Sequence, residues 1–264
     1  MTTESYQLYP INMKDTLLDQ YKKQWKWKNW SSLYDLLPNI SDSIVYDIGC
    51  AHGDHSEILS NRGATVIGLD DNQDLLNYAE QRNISRASFL NCDIGEIDKI
   101  NLTLGDGAWM SFVAAYFTDF KNQLDKISNI LKPGGWIAVT EVDRFLDHSP
   151  LSEKYQKRII EFYNHMYQNE IYDFNSGSKL KNDLIESNYE IHREAFLEDD
   201  ELSHQGACSS EVVEAWKNRL ARMGGFQKFL GSEYPDFENN FINGLLDLDH
   251  CSSCKVYFYL AIKR

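Results

Sequence analysis

The chain has 264 residues, of which 42% are hydrophobic and 25% are charged, and this ordinary balance excludes a long disordered or collagen-like protein. Its length fits one elaborated α/β domain. Its formal charge of −14 repels phosphate backbones and anionic lipid, so we expect neither nucleic acid nor a membrane as a partner. Without a signal-peptide pattern or an apolar run of ~20 residues, the chain is expected to be cytoplasmic.

The N-terminal arm differs from the rest of the chain in composition, because five lysines face only three acids in its first 30 residues. Tyr21, Trp25 and Trp27 alternate with these lysines. Hydrophobic spacing over residues 17–37 predicts a helix, a turn near Asn29 and a second helix. The aromatic face either packs on the edge of the domain or closes over a ligand pocket as a lid.

After the arm, short apolar runs alternate with amphipathic stretches, a pattern typical of βαβ units around a parallel sheet. The predicted strands are Ile44–Ile48, Thr65–Leu69, Ala87–Leu90, Gly107–Ser111, Trp136–Val142, Tyr189–Phe196 and Lys255–Ile262. The predicted helices are His55–Arg62, Gln73–Arg82, Phe120–Leu131, Leu151–Gln168, Ser178–Ser187, Ser210–Leu230 and Phe237–Leu248. Together they predict a doubly wound, Rossmann-like, mostly parallel sheet of seven strands, with a helical arm and a helical insertion before the last strand.

The elements divide the chain into an arm, a cofactor-binding core, a helical insertion and a last core strand, with predicted boundaries at 1–40, 41–197, 198–253 and 254–264. The insertion opens with the acidic run Glu198–Glu201, for which we predict a solvated turn. The apolar face of the insertion covers the carboxyl edge of the sheet together with the arm, covers the far side, or forms a dimer contact. If the arm is a lid, deleting residues 1–30 should reduce acceptor turnover more than cofactor affinity.

The five cysteines include one CxxC pair, Cys251 and Cys254. A structural zinc site usually needs four ligands, and no second pair exists in the sequence. We therefore expect reduced thiols and no metal, with a metal or redox site as the alternative.

The most informative segment is an apolar strand that ends in Asp47 and passes through Gly49, Ala51 and Gly53 into a helix. Such a turn lets a ligand approach bare backbone at the carboxyl end of the first strand. A dinucleotide fingerprint would have glycine in place of Ala51 and Asp54, and an acid suits a cation better than a pyrophosphate. The turn predicts a nucleoside-like cofactor with a positive charge.

Acids also follow the next two strands. Asp70 and Asp71 end the second strand, and Asp93 and Ile94 follow the third. A carboxylate at the first place can grip a ribose diol, and one at the second can accept from the amine of a base. Acids at the carboxyl ends of three successive strands predict one nucleoside site.

With these residues, the segment from about Ile44 to Val142 resembles the class I S-adenosylmethionine-dependent methyltransferases, particularly the small-molecule branch that includes the ubiquinone and menaquinone biosynthesis enzymes. The Leu-Lys-Pro-Gly-Gly turn over residues 131–135 is also similar to that family. The resemblance implies S-adenosylmethionine as the cofactor, with the glycine turn at its methionine part, Asp70 at the ribose and Asp93 with the backbone of Ile94 at the adenine. His52 departs from the common pattern and points either at the ligand or, as we expect, at solvent.

In that family the fourth strand leads into the wall of the acceptor pocket, so Ser111, Phe112 and Tyr116 are candidate pocket residues, although a buried strand would look the same. Ser111 is also a candidate cofactor contact. Polar groups follow the fifth strand, and any could be a general base: Glu141, Asp143, Arg144 and His148. Tyr116 and His148 are the catalytic candidates, since the pKa of a histidine suits a base near neutral pH.

The sequence therefore predicts a methyltransferase that moves the sulfonium methyl group of S-adenosylmethionine to a small organic acceptor such as a natural product or secondary metabolite. Its other expected partner is a second copy of the chain. A regulatory subunit that binds the cofactor without chemistry is the alternative. An NAD-dependent oxidoreductase is disfavoured by Asp47 and the missing glycine.

Overall fold

The computed structural model describes residues 16–28 and 30–264, and these fall into two compact units. The sheet unit comprises residues 30–143, 170–197 and 256–264. The helical unit comprises the described part of the arm together with residues 144–169 and 198–255.

Strands and helices alternate through the sheet unit, as the sequence predicts. The strands are β1 (Ile44–Ile48), β2 (Thr65–Asp70), β3 (Ala87–Asn91), β4 (Gly105–Ser111), β5 (Leu131–Asp143), β6 (His148–Ser149), β7 (Tyr189–Leu197), β8 (Cys251–Ser252) and β9 (Lys255–Lys263). The α-helices are α1 (Leu17–Trp25), α2 (Asp54–Asn61), α3 (Gln73–Gln81), α4 (Phe120–Asn129), α5 (Glu153–Gln168), α6 (Ser176–Glu186), α7 (Ser210–Arg222), α8 (Gly224–Leu230) and α9 (Tyr234–Leu245). Short 3₁₀ helices lie at Ser31–Leu36, Ile94–Lys99, Ala114–Tyr116 and Gly231–Glu233. Within the described ranges, no helix combines the length and the apolar character needed to cross a membrane.

In the described chain, seven strands form one sheet in the order β3-β2-β1-β4-β5-β9-β7. The strands from β3 to β5 in this order pair in parallel, and β7 runs antiparallel to β9, with Leu197 beside Val256. The predicted mostly parallel seven-stranded sheet is confirmed. The order reverses between β1 and β4, and the crevice at the carboxyl ends of the strands at such a point is where open α/β sheets bind ligands.

Burial explains why these segments form strands. Val45, Tyr46 and Ile48 are fully buried on the two faces of β1, so this strand reads as a continuous apolar run. The amphipathic helix α4 buries Leu124 and Ile127 in the core on one face of the sheet. Burial on both faces holds the carboxyl ends of the strands in a fixed register.

The helical unit has its own aromatic core, which includes Trp216, Phe237 and Phe241. The predicted helix over residues 210–230 is two helices, because Met223, with ψ +59°, leaves the helical conformation before Gly224. The arm packs inside this unit, since the Gln24 amide donates to Glu201 at 3.3 Å.

The boundaries of the units differ from the predicted ones at two places. Helix α5, which we expected in the core, belongs to the helical unit. Trp30 and the 3₁₀ helix that follows it, which we assigned to the arm, belong to the sheet unit, and Trp30 is only 2% exposed. The first 15 residues and Asn29, which include the predicted turn, lie outside the described residues.

The acidic run was expected to be a solvated turn, and this prediction is wrong for two of its residues. Asp199 and Glu201 are buried. Asp199 accepts hydrogen bonds from the backbone N–H groups of Glu201 and Leu202, and Glu201 pairs with Arg219 at 2.7 Å. The run is therefore an internal anchor of the helical unit, because each buried carboxylate has a donor.

The two cysteines of the CxxC pair differ in exposure: Cys254 is buried and Cys251 is exposed. Both thiols are free. Among the described residues, no group of three or more His, Cys, Asp or Glu side chains could hold a metal ion.

Candidate cofactor site

The turn between β1 and α2 adopts a backbone that favours glycine. Gly49, Ala51 and Gly53 all have positive φ, at +73°, +47° and +86°. A Cβ atom on residue 49 would overlap a methyl group of Val113, and the N–H groups of residues 49 and 50 both donate to the carbonyl of Leu69. The turn is thus held tightly, and its backbone stays bare on the side where a ligand can approach.

Asp70, the last residue of β2, lies directly against this turn. Its Oδ2 accepts from the N–H of Ala51 at 2.8 Å, and its Oδ1 accepts from the N–H of Asn72 at 2.9 Å. Burial raises the pKa of Asp70, while these backbone donors act in the opposite direction. An ionised carboxylate has about four acceptor sites, so the oriented group keeps acceptor capacity for a ligand. Asp71, the next residue, is exposed.

The end of β3 lies beside the end of β2, because the N–H of Cys92 donates to the carbonyl of Asp70 at 2.9 Å. Asp93 follows and is exposed, and its Oδ1 accepts from the N–H of Gly95 at 2.8 Å. Ile94 is half-buried, and its carbonyl accepts from the Gln123 amide. The structure therefore brings the predicted ribose and adenine contacts to neighbouring strand ends.

Asp47 lies beneath the turn. Its side chain is almost fully buried and accepts from the Ser56 hydroxyl at 2.6 Å. Burial raises the pKa of Asp47 to about 7, and the nearby Asp70 and Asp54 raise it further, against the Ser56 hydrogen bond. This carboxylate therefore acts on a cofactor through its charge and through the turn that it supports.

The end of β4 carries the predicted acceptor-pocket residues. The Ser111 hydroxyl accepts from Trp109 Nε1 at 3.0 Å and from the Thr140 hydroxyl at 2.8 Å. Phe112 has a φ of +57°, which turns the chain away from the strand. Tyr116 is 62% exposed, and its ring meets the ring of Tyr172 edge-on at 5.0 Å between centroids.

A buried aromatic cluster supports the first turn of α2, and sequence reasoning did not identify it. The Tyr34 hydroxyl and His55 Nδ1 are 2.6 Å apart, and the Tyr34 ring stacks on Trp109 at 4.8 Å. Trp30 packs edge-on against Phe112 at 5.4 Å. The signal in the sequence is the i, i+4 spacing of Trp30 and Tyr34, which places both on one face of a helical turn.

His148 does not join this site, because it lies in the helical unit. It is buried, its Nδ1 is 2.9 Å from His250 Nε2, and its Nε2 is 3.0 Å from the carbonyl oxygen of Phe145. Burial lowers the pKa of His148 to about 3, and the neighbouring His250 lowers it further. A general base must reach the substrate and titrate near neutral pH, so this environment argues against the predicted role.

Two further sequence expectations need correction. His52 does not point into solvent, because it is buried with Nε2 2.8 Å from a carboxylate oxygen of Asp54. Arg144 is paired with Asp147 at 2.6 Å within the helical unit. Glu141 is fully buried at the end of β5.

The donor and acceptor chemistry of the site fits S-adenosylmethionine. A ribose diol and an adenine amine are hydrogen-bond donors, and the side chains at the ends of β2 and β3 are acceptors. The three strand-end acids also favour the positive charge of a sulfonium group. The left-handed turn leaves room for the backbone to approach the remainder of the cofactor.

Comparison with known proteins gives the same assignment. A protein family described as a methyltransferase domain matches residues 40–196. The chain is 25% identical over 217 residues to the ubiquinone/menaquinone biosynthesis C-methyltransferase of Wigglesworthia glossinidia brevipalpis, a match that covers 80% of this chain and 74% of that protein.

Two solved structures share the fold. An S-adenosylmethionine-dependent methyltransferase from Mesorhizobium loti aligns with a TM-score of 0.54 and 15% identity over 89% of this chain and 97% of that one. The geranyl diphosphate C-methyltransferase of Streptomyces coelicolor aligns with a TM-score of 0.52 and 15% identity over 88% and 77% of the two chains. The family match includes the glycine turn and all three strand-end acids. The chain therefore belongs to the methyltransferase-domain family and is an S-adenosylmethionine-dependent methyltransferase.

Proposed function

We propose that this enzyme methylates a small organic acceptor, which binds at the carboxyl end of β4. The observation that carries the proposal is the exposed ring of Tyr116, which together with Tyr172 forms an aromatic surface next to the strand end. Such a surface suits an apolar or aromatic molecule. The relatives support it, because one is named for ubiquinone and menaquinone and another for geranyl diphosphate.

The residues of the sheet unit divide the work of binding. The set proposed to hold the cofactor is Asp47, Gly49, Ala51, Gly53, Asp70, Asp71, Asp93, Ile94 and Ser111. Asp70 accepts from the ribose hydroxyls and Asp93 accepts from the adenine amine, while the glycines admit the ligand close to the backbone. Tyr116 holds the acceptor.

S-adenosylmethionine supplies, when bound, a methyl group that its positive sulfur has already activated. The protein then has to align the acceptor with that methyl group and exclude water. The aromatic rings of Tyr116 and Tyr172 can do both, since they present a rigid apolar surface.

The test has two stages. Calorimetric titration with S-adenosylmethionine, S-adenosylhomocysteine and NAD should show binding of the first two alone, and tight NAD binding with no response to the sulfonium compound would contradict the site. Incubation with labelled methyl donor and panels of quinols, isoprenoid diphosphates, amines, protein and nucleic acid should then label a small molecule. Label in a macromolecule alone would overturn the proposal, and cofactor binding without any labelled product would identify the regulatory alternative.

A further inference from the structure

Glu141 is a buried carboxylate that the proposed function does not use. It lies near the end of β5 and has no exposed surface. Its Oε2 accepts from the backbone N–H of Ala115 at 3.0 Å, and its Oε1 accepts from the N–H of Val142 at 2.9 Å. The N–H of Ala114 interacts with the same carboxylate. Backbone donors therefore surround this carboxylate.

The donors from residues 114 and 115 belong to the first turn of the 3₁₀ helix that follows β4. The first N–H groups of a helical turn have no partner inside it and need an external acceptor. Glu141 supplies that acceptor from the neighbouring strand, although it is 26 positions away in sequence from Ala115. The carboxylate therefore caps the turn, much as a side chain caps a helix.

The capped turn is joined to the glycine turn by Val113. A methyl group of Val113 occupies the space in which a Cβ atom on residue 49 would lie. On its other side, the capped turn is held by the carbonyl of Ala115, which accepts from the N–H of Asp173 at 2.7 Å. A shift of the capped turn would therefore move the packing against Gly49.

The contacts of Glu141 distinguish its two protonation states. Both carboxylate oxygens face N–H donors, so a proton on either oxygen would place an O–H group opposite an N–H group. Burial raises the pKa of Glu141 to about 7, and the like charge of Asp143 raises it further, whereas the backbone hydrogen bonds favour the ionised form. The titratable or charged side chains on the segments around it are Asp143, Tyr116, Tyr172 and Asp173, the last of which is paired with Lys179.

We propose that Glu141 is a positioning residue for the cofactor: its ionised carboxylate caps the turn after β4 and so holds Val113 against the glycine turn in the arrangement that binds S-adenosylmethionine. The inference rests on the proposed function, because it requires the cofactor to lie at the glycine turn. Protonation of Glu141 loosens the capped turn and weakens binding.

Calorimetry with S-adenosylhomocysteine between pH 5.5 and 8.5 tests the inference. For the wild type we expect a dissociation constant about tenfold higher at the acid end, the factor that corresponds to one hydrogen bond of about 1.4 kcal/mol. Glu141→Gln should bind weakly at pH 8.5 and lose most of this pH dependence, because its amide NH₂ faces an N–H donor. Glu186→Gln is the matched control, since Glu186 is an exposed partner of Lys121, and its profile should follow the wild type.

Parallel profiles for Glu141→Gln and the wild type would overturn the inference while leaving the cofactor site intact. Absence of S-adenosylhomocysteine binding by the wild type at every pH would instead contradict the proposed function. A second measurement needs no variant: the amide resonances of Ala115 and Val142 in the ¹⁵N-labelled wild-type protein should titrate together with a midpoint near pH 7. If neither resonance titrates in this range, the carboxylate does not cap the turn and the inference is wrong.

Discussion

Asp70 has two functions that substitution can separate. It is the proposed acceptor for the ribose, and it is also the partner of two backbone N–H groups, from Ala51 and Asn72. The sequence led us to treat it as a loop-tip acid that packs little, but it is buried at 9% exposure. Its removal therefore affects both the ligand and the turn.

We expect Asp70→Ala to weaken S-adenosylhomocysteine binding by about 1.5–3 kcal/mol, the range for hydrogen bonds to a charged group, and also to lower the free energy of unfolding. Asp70→Asn keeps one acceptor oxygen and should lose less stability. Calorimetry and urea denaturation measure the two effects. Asp98→Ala, at an exposed acid of the same unit, is the control. An unchanged affinity in Asp70→Ala would show that the ribose assignment is wrong.

Gly49 can be tested together with the residue that packs against it. Gly49→Ala should lower the free energy of unfolding by about 2–4 kcal/mol, because Ala resists a φ of +73° and its Cβ overlaps Val113. In a Val113→Ala background the overlap is absent, and the loss should fall to about 1–2 kcal/mol. A double-mutant cycle by urea denaturation gives the coupling. Equal losses in both backgrounds would mean that Val113 does not contact the turn.

At the scale of elements, the arm must be cut at a different point from the one that the sequence suggests. A deletion of residues 1–30 would remove Trp30, which is buried in the sheet unit. We expect a deletion of residues 1–28 to leave S-adenosylhomocysteine affinity within about threefold of the wild type, because it removes no residue of the sheet unit. A deletion of residues 1–36 also removes Leu33 and Tyr34 from the core and should unfold the sheet unit. Circular dichroism and calorimetry distinguish these outcomes. Equal behaviour of the two deletions would contradict the boundary at Trp30.

The elements that could be predicted from the sequence are those with a strong local pattern. The strand at residues 44–48 is confirmed residue for residue, and the others in the sheet begin or end within a few residues of their predicted bounds. Buried parallel strands read as short apolar runs between turn residues, and this signal needs no knowledge of the partner. The acids at the ends of β1, β2 and β3 could be located for the same reason.

The features that could not be predicted depend on partners far away in sequence. Glu201 is buried because Arg219, on the next helix, pairs with it. His148 is buried because His250 lies 102 positions further on. The break at Met223 has a local cause in Gly224 and Gly225, which we did not weigh against the surrounding helical periodicity.

At the scale of the whole molecule, stability depends on pH through buried groups with opposite shifts. The pKa values of Asp47 and Glu141 are raised to about 7 by burial, and that of Asp199 is raised to about 6. The folded state holds these protons at a pH where the unfolded chain has released them, so stability falls as pH rises towards 7. His148, with its pKa lowered to about 3, acts in the opposite sense between pH 3 and 6.5.

Asp47→Asn isolates one of these contributions. The variant cannot ionise and keeps an acceptor for the Ser56 hydroxyl, so we expect it to be more stable than the wild type by about 2 kcal/mol at pH 8. At pH 4 both side chains are neutral in the folded protein, and the difference should vanish. Thermal unfolding at the two pH values measures it. A variant less stable than the wild type at pH 8 would show that the carboxylate is compensated by groups other than Ser56.

The register of the last two strands of the sheet has a consequence for how this protein can vary. Leu197 and Val256 are paired neighbours on β7 and β9, so the chain leaves the sheet and returns to it at a single rung of the ladder. Topologically, residues 198–255 are the loop of a β-hairpin, in a place where two residues can suffice. Both ends of this loop are held by ladder hydrogen bonds, and closing a longer loop costs only slightly more entropy. Insertions, deletions or a wholly different segment can therefore be exchanged there without altering the strand pairing.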